Sequence, residues 1–169
     1  MAKKKPKLQF RYYEMCANEQ VLALLGESWR RPYGNDISDL HFHNYMEVGI
    51  CYEGQGKSIL RDHVNFFRGG VISIVPPNYP HHNETEPGET AFWEWMYFDM
   101  DSVLQDMKSI SYSKLDTETI SSAMNGSALF FQQEEHREIS STILEIRDEC
   151  DKRAYMYREK LRGLLQSFA

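Results

Sequence analysis

The spacing of hydrophobic positions changes near residue 131, and this change predicts two structural regions. Before that point the chain consists of short apolar and aromatic runs separated by glycine, proline and other turn residues. Such spacing is typical of an antiparallel β-sandwich or β-barrel. The runs that predict strands cover residues 8–15, 21–29, 39–52, 57–61, 63–67, 71–75 and 90–99. We therefore expect a mainly β domain over residues 1–131, with an N-terminal arm and an antiparallel barrel over about residues 8–112.

Residues 132–169 have a helical period instead. Two sets of apolar residues follow each other at steps of four, three and four positions, and charged residues fill the positions between them. This spacing places one apolar stripe on each of two helices. The stripes consist of Ile139, Ile143, Ile146 and Cys150 in the first helix and Tyr157, Leu161, Leu164 and Phe168 in the second.

Two roles are open for these stripes, because they can pack back onto the barrel or form the seam of a homodimer. A pair of amphipathic helices can do both. We expect residues 132–169 to be a dimerisation segment. Its predicted interface residues are Ile139, Ile143, Ile146, Tyr157, Leu161 and Leu164.

Composition and charge narrow the classes of function. Hydrophobic residues make up 41% of the chain, which is enough for a packed core. The formal net charge of -6 argues against DNA binding by this chain alone, because affinity for phosphates needs a basic surface. Three cysteines without a repeated spacing predict free thiols in a reducing, cytoplasmic compartment. No apolar run approaches the roughly 20 residues that cross a bilayer, so no membrane association is expected.

One group of polar residues is the strongest candidate for chemistry. His41, His43 and Glu47 all have odd numbers, so a continuous strand would project the three side chains from one face. His81 follows a rigid proline-rich loop, residues 76–80, and can add a fourth ligand. Imidazole and carboxylate groups suit a divalent metal such as Zn, Ni, Fe or Mn. The alternative is a set of ordinary polar contacts around a metal-free pocket.

Aromatic residues are the second candidate feature. Trp93, Trp95 and Tyr97 share one face of the predicted strand 90–99, and Tyr45 is expected on the same face as the histidine pair. Flat rings beside a few polar groups suit a small polar ligand, for example a sugar. The alternative is that the rings fill the interior of a small barrel. We expect a ligand pocket formed by Tyr45, His43, Glu47, His81, Trp93, Trp95 and Tyr97.

These residues also resemble a known family. Gly34, His41, His43, Glu47 and Gly54 follow the spacing of the first cupin motif, and the run from Gly70 through Pro76 to His81 resembles the second. Asn78 and Thr85 stand where the second motif has glycine and asparagine. Within the cupins, residues 41–56, residues 69–77 and the two C-terminal helices look like the sensor domain of AraC-type transcription regulators.

The resemblance implies a cupin-like barrel, also called a jelly roll or double-stranded β-helix, followed by two helices. It also implies a homodimer that binds a small effector and reads DNA only through helix-turn-helix units absent from this sequence. The competing hypothesis is a metal-dependent cupin enzyme, such as an oxygenase or isomerase. The helical pair favours the regulator and no enzymatic activity, because an enzyme does not need this additional segment.

Overall fold

The fold is described by a computed structural model that covers residues 8–34, 40–110 and 116–169. It contains eleven strands, four α-helices and one 3₁₀ turn at Glu27–Trp29 within these ranges. The strands are β1 Gln9–Arg11, β2 Val21–Leu24, β3 Arg30–Arg31, β4 His41–His43, β5 Met46–Glu53, β6 Gln55–Leu60, β7 His63–Arg68, β8 Val71–Val75, β9 His81–Thr85, β10 Ala91–Phe98 and β11 Leu129–Gln132. The helices are α1 Met100–Ile110, α2 Thr117–Met124, α3 Arg137–Lys152 and α4 Tyr157–Phe168.

The strands form two facing sheets. The first sheet has the order β1-β4-β9-β6-β7, and the second has the order β11-β8-β5-β10-β2, with β3 also paired to β10. All pairs are antiparallel except β1 with β4. This arrangement confirms the predicted mainly β, cupin-like class. Over the described ranges it is a jelly-roll-like sandwich of two sheets rather than one closed barrel.

The second sheet is buried on both faces because its strands alternate between two apolar environments. In β5 and β10 the even-numbered residues, among them Val48, Ile50 and Met96, pack against the helices. The odd-numbered residues Cys51 and Trp93 face the first sheet. A side chain at Gly49 would place its Cβ 2.3 Å from the Trp95 ring, so glycine is needed where that ring crosses β5.

The C-terminal helices cover the outer face of the second sheet. Ile143, Ile146 and Leu161 are almost completely buried in the same core cluster as Met96 and Phe98. Ile139, Tyr157 and Leu164 are half-buried against this cluster. The stripes predicted as a dimer seam therefore pack within the chain. The prediction is wrong for Ile143, Ile146 and Leu161, because the apolar outer face of β5 and β10 has to be covered.

Two helices, α1 and α2, and three strands, β3, β9 and β11, were not predicted from the sequence. Helix α1 follows β10 directly and buries Met100, Val103 and Leu104, so the predicted barrel does not extend to residue 112. Strand β11 pairs with β8 after α2, which means that helices interrupt the order of the strands. No helix within residues 8–34, 40–110 and 116–169 is long and apolar enough to span a membrane.

The predicted strand 39–52 is divided by a corner. The described part of it forms β4 in the first sheet and β5 in the second, and Asn44 and Tyr45 connect them. The side chain of Asn44 fixes this corner to the N-terminal segment: its Oδ1 accepts from the Tyr13 N–H at 2.9 Å, and its Nδ2 donates to the Tyr13 carbonyl at 3.0 Å.

Candidate functional site

The corner between β4 and β5 brings together the four polar residues singled out in the sequence. His41 and His43 project from β4, His81 from the adjacent β9, and Glu47 from β5 of the facing sheet. All four are buried, and one nitrogen or oxygen of each lies within 4.8 Å of the others. The convergence arises from two sheets that meet at a corner, and not from a single strand face as the odd numbering suggested.

Backbone carbonyl groups orient two of the imidazole rings. Nδ1 of His81 lies 2.7 Å from the Tyr79 carbonyl oxygen, and Nδ1 of His43 lies 3.3 Å from that of Arg11. These contacts direct Nε2 of each ring at Glu47, at 2.8 Å for His43 and 3.1 Å for His81. Neither Nε2 forms a well-aligned hydrogen bond within the part of the chain that the structure describes.

This arrangement requires a cation. A ring that donates through Nδ1 carries a lone pair on Nε2 unless it is protonated, and a lone pair is repelled by a carboxylate oxygen. Either a proton on an imidazole or a metal ion between the rings and Glu47 removes the repulsion. Carbonyl groups that hold the second nitrogen of a histidine are the usual companions of metal ligands.

The ionisable groups of the cluster shift each other's pKa values. Burial by itself raises the pKa of Glu47, but the charge of His81 and the contact with His43 hold it well below its ordinary value. Burial lowers the pKa of His81, yet the facing Glu47 raises it overall. The Tyr97 hydroxyl donates to Glu47 at 3.0 Å, and burial together with this carboxylate raises the pKa of Tyr97 far above its usual range. Glu47 is therefore ionised, and its two oxygens contact His43, His81 and the Tyr97 hydroxyl.

A cavity of about 410 Å³ lies between the sheets next to this cluster. Glu47, His41 and Tyr97 form part of its wall, together with Trp95. The remaining side chains come from the N-terminal segment, from β3 and from β9: Arg11, Tyr13, Trp29, Arg31, Pro32, Tyr33, His82 and Asn83, with Gly34. A cavity that combines aromatic walls with a few convergent polar groups has the character of a small-molecule site.

The predicted pocket residues divide into three groups. Glu47, Trp95 and Tyr97 line the cavity, and His43 and His81 lie behind it in the cluster. Trp93 is completely buried in the core, where it stacks on Trp95 at 4.9 Å between ring centroids. Tyr45 lies at the corner beside a different and smaller pocket. Trp93 and Tyr45 therefore do not line this cavity.

Several cavity residues were not predicted from the sequence. Arg11 reaches the site because β1 pairs with β4 in parallel and places Arg11 opposite His43, a long-range pairing with no local sequence signal. The segment Trp29-Arg30-Arg31-Pro32-Tyr33 did carry a signal. Aromatic and basic residues around a proline are typical of a binding loop, since proline fixes the backbone and rings stack on guanidinium groups.

A buried ion pair connects the cavity wall to helix α3. Glu94 lies on β10 next to Trp95 but points to the opposite face, where its side chain is completely buried. It accepts from Nε and Nη2 of Arg147 at 2.7 and 3.0 Å, from the Tyr52 hydroxyl at 2.8 Å and from the Gly26 N–H at 2.8 Å. Burial raises the pKa of Glu94, but these donors, with Arg147 first, lower it overall.

Fold and site together define a small-molecule-binding domain of the cupin-like class, with helices on its outer face. The chain belongs to the family of AraC-like ligand binding domains, whose family model matches residues 10–163. No curated protein sequence gives a significant match to it.

Solved structures of the AraC-like regulator ToxT share this fold. The chain is similar to an apo variant of ToxT from Vibrio cholerae, with 11% identity and a TM-score of 0.52 over 88% of this chain and 53% of ToxT. A second ToxT structure gives 12% identity and a TM-score of 0.51 over 89% of this chain and 55% of ToxT. The AraC-like transcriptional activator CuxR gives 9% identity and a TM-score of 0.45 over 73% of this chain and 41% of CuxR. The chain thus spans about half the length of these ToxT structures.

Proposed function

We propose that this chain is the effector-sensing half of a transcription regulator that acts in the cytoplasm, and that a small polar molecule such as a sugar binds between its sheets. The observation that carries this proposal is the aromatic cavity beside the buried histidine and glutamate cluster. The three free cysteines, Cys16, Cys51 and Cys150, fit a reducing compartment. DNA contacts belong to a domain outside this sequence, in keeping with its acidic net charge.

The cluster fits a divalent metal ion as the anchor of the site. His41, His43, His81 and Glu47 would hold it, because three imidazole nitrogens and one carboxylate suit Zn, Ni, Fe or Mn. A metal bound there would offer an electrophilic centre at the wall of the cavity. The protein supplies the orientation of the ligands, the Tyr97 hydroxyl that holds Glu47, and walls that restrict access of water.

The proposed route from the cavity to the helices passes through Glu94. Its carboxylate joins Gly26, which precedes the cavity residue Trp29, to Arg147 on α3. A ligand that moves the 26–34 segment or β10 changes the position of this carboxylate. Because Arg147 donates to both carboxylate oxygens, the change reaches α3. A ligand shifts such an equilibrium only by its different affinity for the two arrangements.

The same cluster favours a second candidate, a metal-dependent cupin enzyme such as an oxygenase or isomerase. The two functions differ in what happens to the bound molecule. A sensor releases its ligand unchanged, whereas an enzyme converts it. Recovery of unchanged ligand after incubation with metal-loaded protein in air supports the sensor, and recovery of a product supports the enzyme.

The tryptophans provide a direct test of the binding site. Trp29 and Trp95 line the cavity, and the third tryptophan, Trp93, is buried behind Trp95 as an internal control. We expect NMR signals of the Trp29 and Trp95 indole N–H groups to shift more than that of Trp93 when Zn²⁺-loaded protein is screened with sugars, sugar acids, amines and aromatic acids. A screen in which no compound shifts Trp29 or Trp95 would contradict the proposal.

Dimerisation is also part of the proposal, but it has to use a surface that the fold leaves accessible. Leu161 is buried against the sheet, whereas Leu164 on the same helix is half-buried beside an open groove with Gly163. We expect Leu161→Glu to lower the melting temperature strongly, because it buries an unpaired charge. Leu164→Glu should lower the melting temperature much less, because Leu164 is only half-buried, and should weaken self-association in sedimentation experiments. A Leu164→Glu protein that associates like the wild type would exclude this helix face as the interface.

A further inference from the structure

Two arginines line the cavity although the chain as a whole is acidic. Arg11 enters it from the first sheet and Arg31 from the strand paired to the second. Among the cavity-lining residues that the structure describes, Glu47 is the one acidic group, and it is already engaged by His43, His81 and Tyr97. Glu47 therefore cannot also neutralise Arg31.

Arg31 keeps its charge available for a ligand. Its guanidinium carbon lies 4.5 Å from the centre of the Trp29 ring and 5.2 Å from that of Tyr33, so two cavity rings hold it. Within the described ranges no carboxylate forms an ion pair with it. The adjacent Arg30 differs, since it pairs with Glu27 at 2.8 Å and with Glu53 at 2.7 Å. A rigidly held guanidinium has the planar geometry that binds a carboxylate through two parallel hydrogen bonds.

A second feature of the cavity is a buried acceptor that a ligand hydroxyl group can satisfy. Oδ1 of Asn83 is buried at the cavity wall and has no hydrogen-bond partner in the described part of the chain. A buried acceptor without a donor is unfavourable, and a ligand hydroxyl group satisfies it. The rings of Trp95 and Tyr33, in an edge arrangement at 6.3 Å, provide an apolar surface for the carbon skeleton of such a ligand.

We propose that the effector is a hydroxylated organic acid, such as a sugar acid, whose carboxylate binds Arg31. Asn83 accepts a hydrogen bond from a ligand hydroxyl at the wall of the same cavity. This inference rests on the proposed function and narrows its ligand from small polar molecules in general to the acidic ones among them.

A matched pair of sugars tests the proposal. Galacturonate and galactose differ in the carboxylate that replaces one hydroxymethyl group, so their affinities for Zn²⁺-loaded protein isolate the contribution of the charge. We expect calorimetric titration to give galacturonate an affinity about ten- to hundredfold higher, as a charge-assisted hydrogen bond provides. Arg31→Gln should remove this preference. Arg30→Gln changes the net charge equally and should retain it.

The possible outcomes separate this inference from the proposed function. Equal affinities for the two sugars, or equal effects of Arg31→Gln and Arg30→Gln, would overturn the proposal that the effector is acidic. If neither sugar binds while an amine shifts the Trp29 and Trp95 signals, the proposal of an acidic ligand is wrong, but the cavity is still the binding site. If no compound in the screen shifts either signal, the proposed function fails together with the inference.

Discussion

Replacement of Glu94 by glutamine is expected to lower the free energy of unfolding by about 1.5–3 kcal/mol at neutral pH, because it removes the charge of a buried carboxylate that accepts four hydrogen bonds. The Arg147 guanidinium would lose the charged oxygens at its Nε and Nη2, where an amide N–H₂ group would face it, and would keep its Nη1 contacts with Asp148 and Asp151. Chemical denaturation followed by circular dichroism measures the change.

Glu53 provides the matched control for this substitution. It also pairs with an arginine, Arg30, but both groups are largely exposed, and exposed ion pairs contribute little. Glu53→Gln should therefore leave the denaturation midpoint close to that of the wild type. Similar midpoints for the Glu94→Gln and Glu53→Gln proteins would show that the buried network is not a structural link.

The effect of Glu94 should also depend on pH. Its pKa in the folded protein lies below the ordinary value of 4.5, so the folded state binds fewer protons than the unfolded state in this range. Its contribution is fully present above about pH 4.5 and is lost as the pH falls through the lower, folded-state pKa. The difference in stability between wild type and Glu94→Gln should thus shrink on acidification. A difference that stays constant down to pH 3 would contradict the ionised Glu94.

Glu47→Gln is expected to weaken Zn²⁺ binding by at least about a hundredfold, since even residues that only orient metal ligands contribute ten- to a hundredfold. The wild type should bind one Zn²⁺ per chain in a competition titration with a chromophoric chelator. Glutamine has nearly the same volume as glutamate, and circular dichroism verifies that the variant is folded. The loss then reflects the missing carboxylate.

Glu84 supplies the control for this experiment. It lies 2.8 Å from His82 and forms a second histidine–carboxylate pair, outside the four-residue cluster. Glu84→Gln should leave the affinity for Zn²⁺ unchanged. If Glu47→Gln binds Zn²⁺ as tightly as the wild type, the cluster is held by a proton on an imidazole and not by a metal.

The sequence predicts the sandwich well where local patterns carry the information. The alternation in residues 90–99 separates Trp93, Trp95 and Tyr97 on the inner face from Met96 and Phe98 on the helix-covered face, as the structure shows. The helical period after residue 131 likewise predicts α3 and α4. Helix α1 was missed although Met100, Val103, Leu104 and Met107 have helical spacing, because the preceding aromatic run suggested that strands continue.

The cavity could be predicted only in part, because much of its wall depends on long-range pairing. The histidines and Glu47 are recognisable from their spacing, but the corner at Asn44 that brings them together is not. Arg11 joins the site through the parallel pairing of β1 with β4, and Arg31 through the pairing of β3 with β10. Neither pairing leaves a trace in the local sequence, although the basic and aromatic residues of segment 29–33 do indicate a binding loop.

Hydrogen–deuterium exchange measures whether a ligand in the cavity changes the stability of helix α3. The measurement compares Zn²⁺-loaded protein with and without a compound that shifts the Trp29 and Trp95 indole signals. We expect slower exchange of residues 26–34 and of α3, by about tenfold for a coupling near 1.4 kcal/mol. In Glu94→Gln the slower exchange should persist in residues 26–34 and disappear in α3. Protection confined to the cavity in the wild type, with α3 unchanged, would contradict a sensing role.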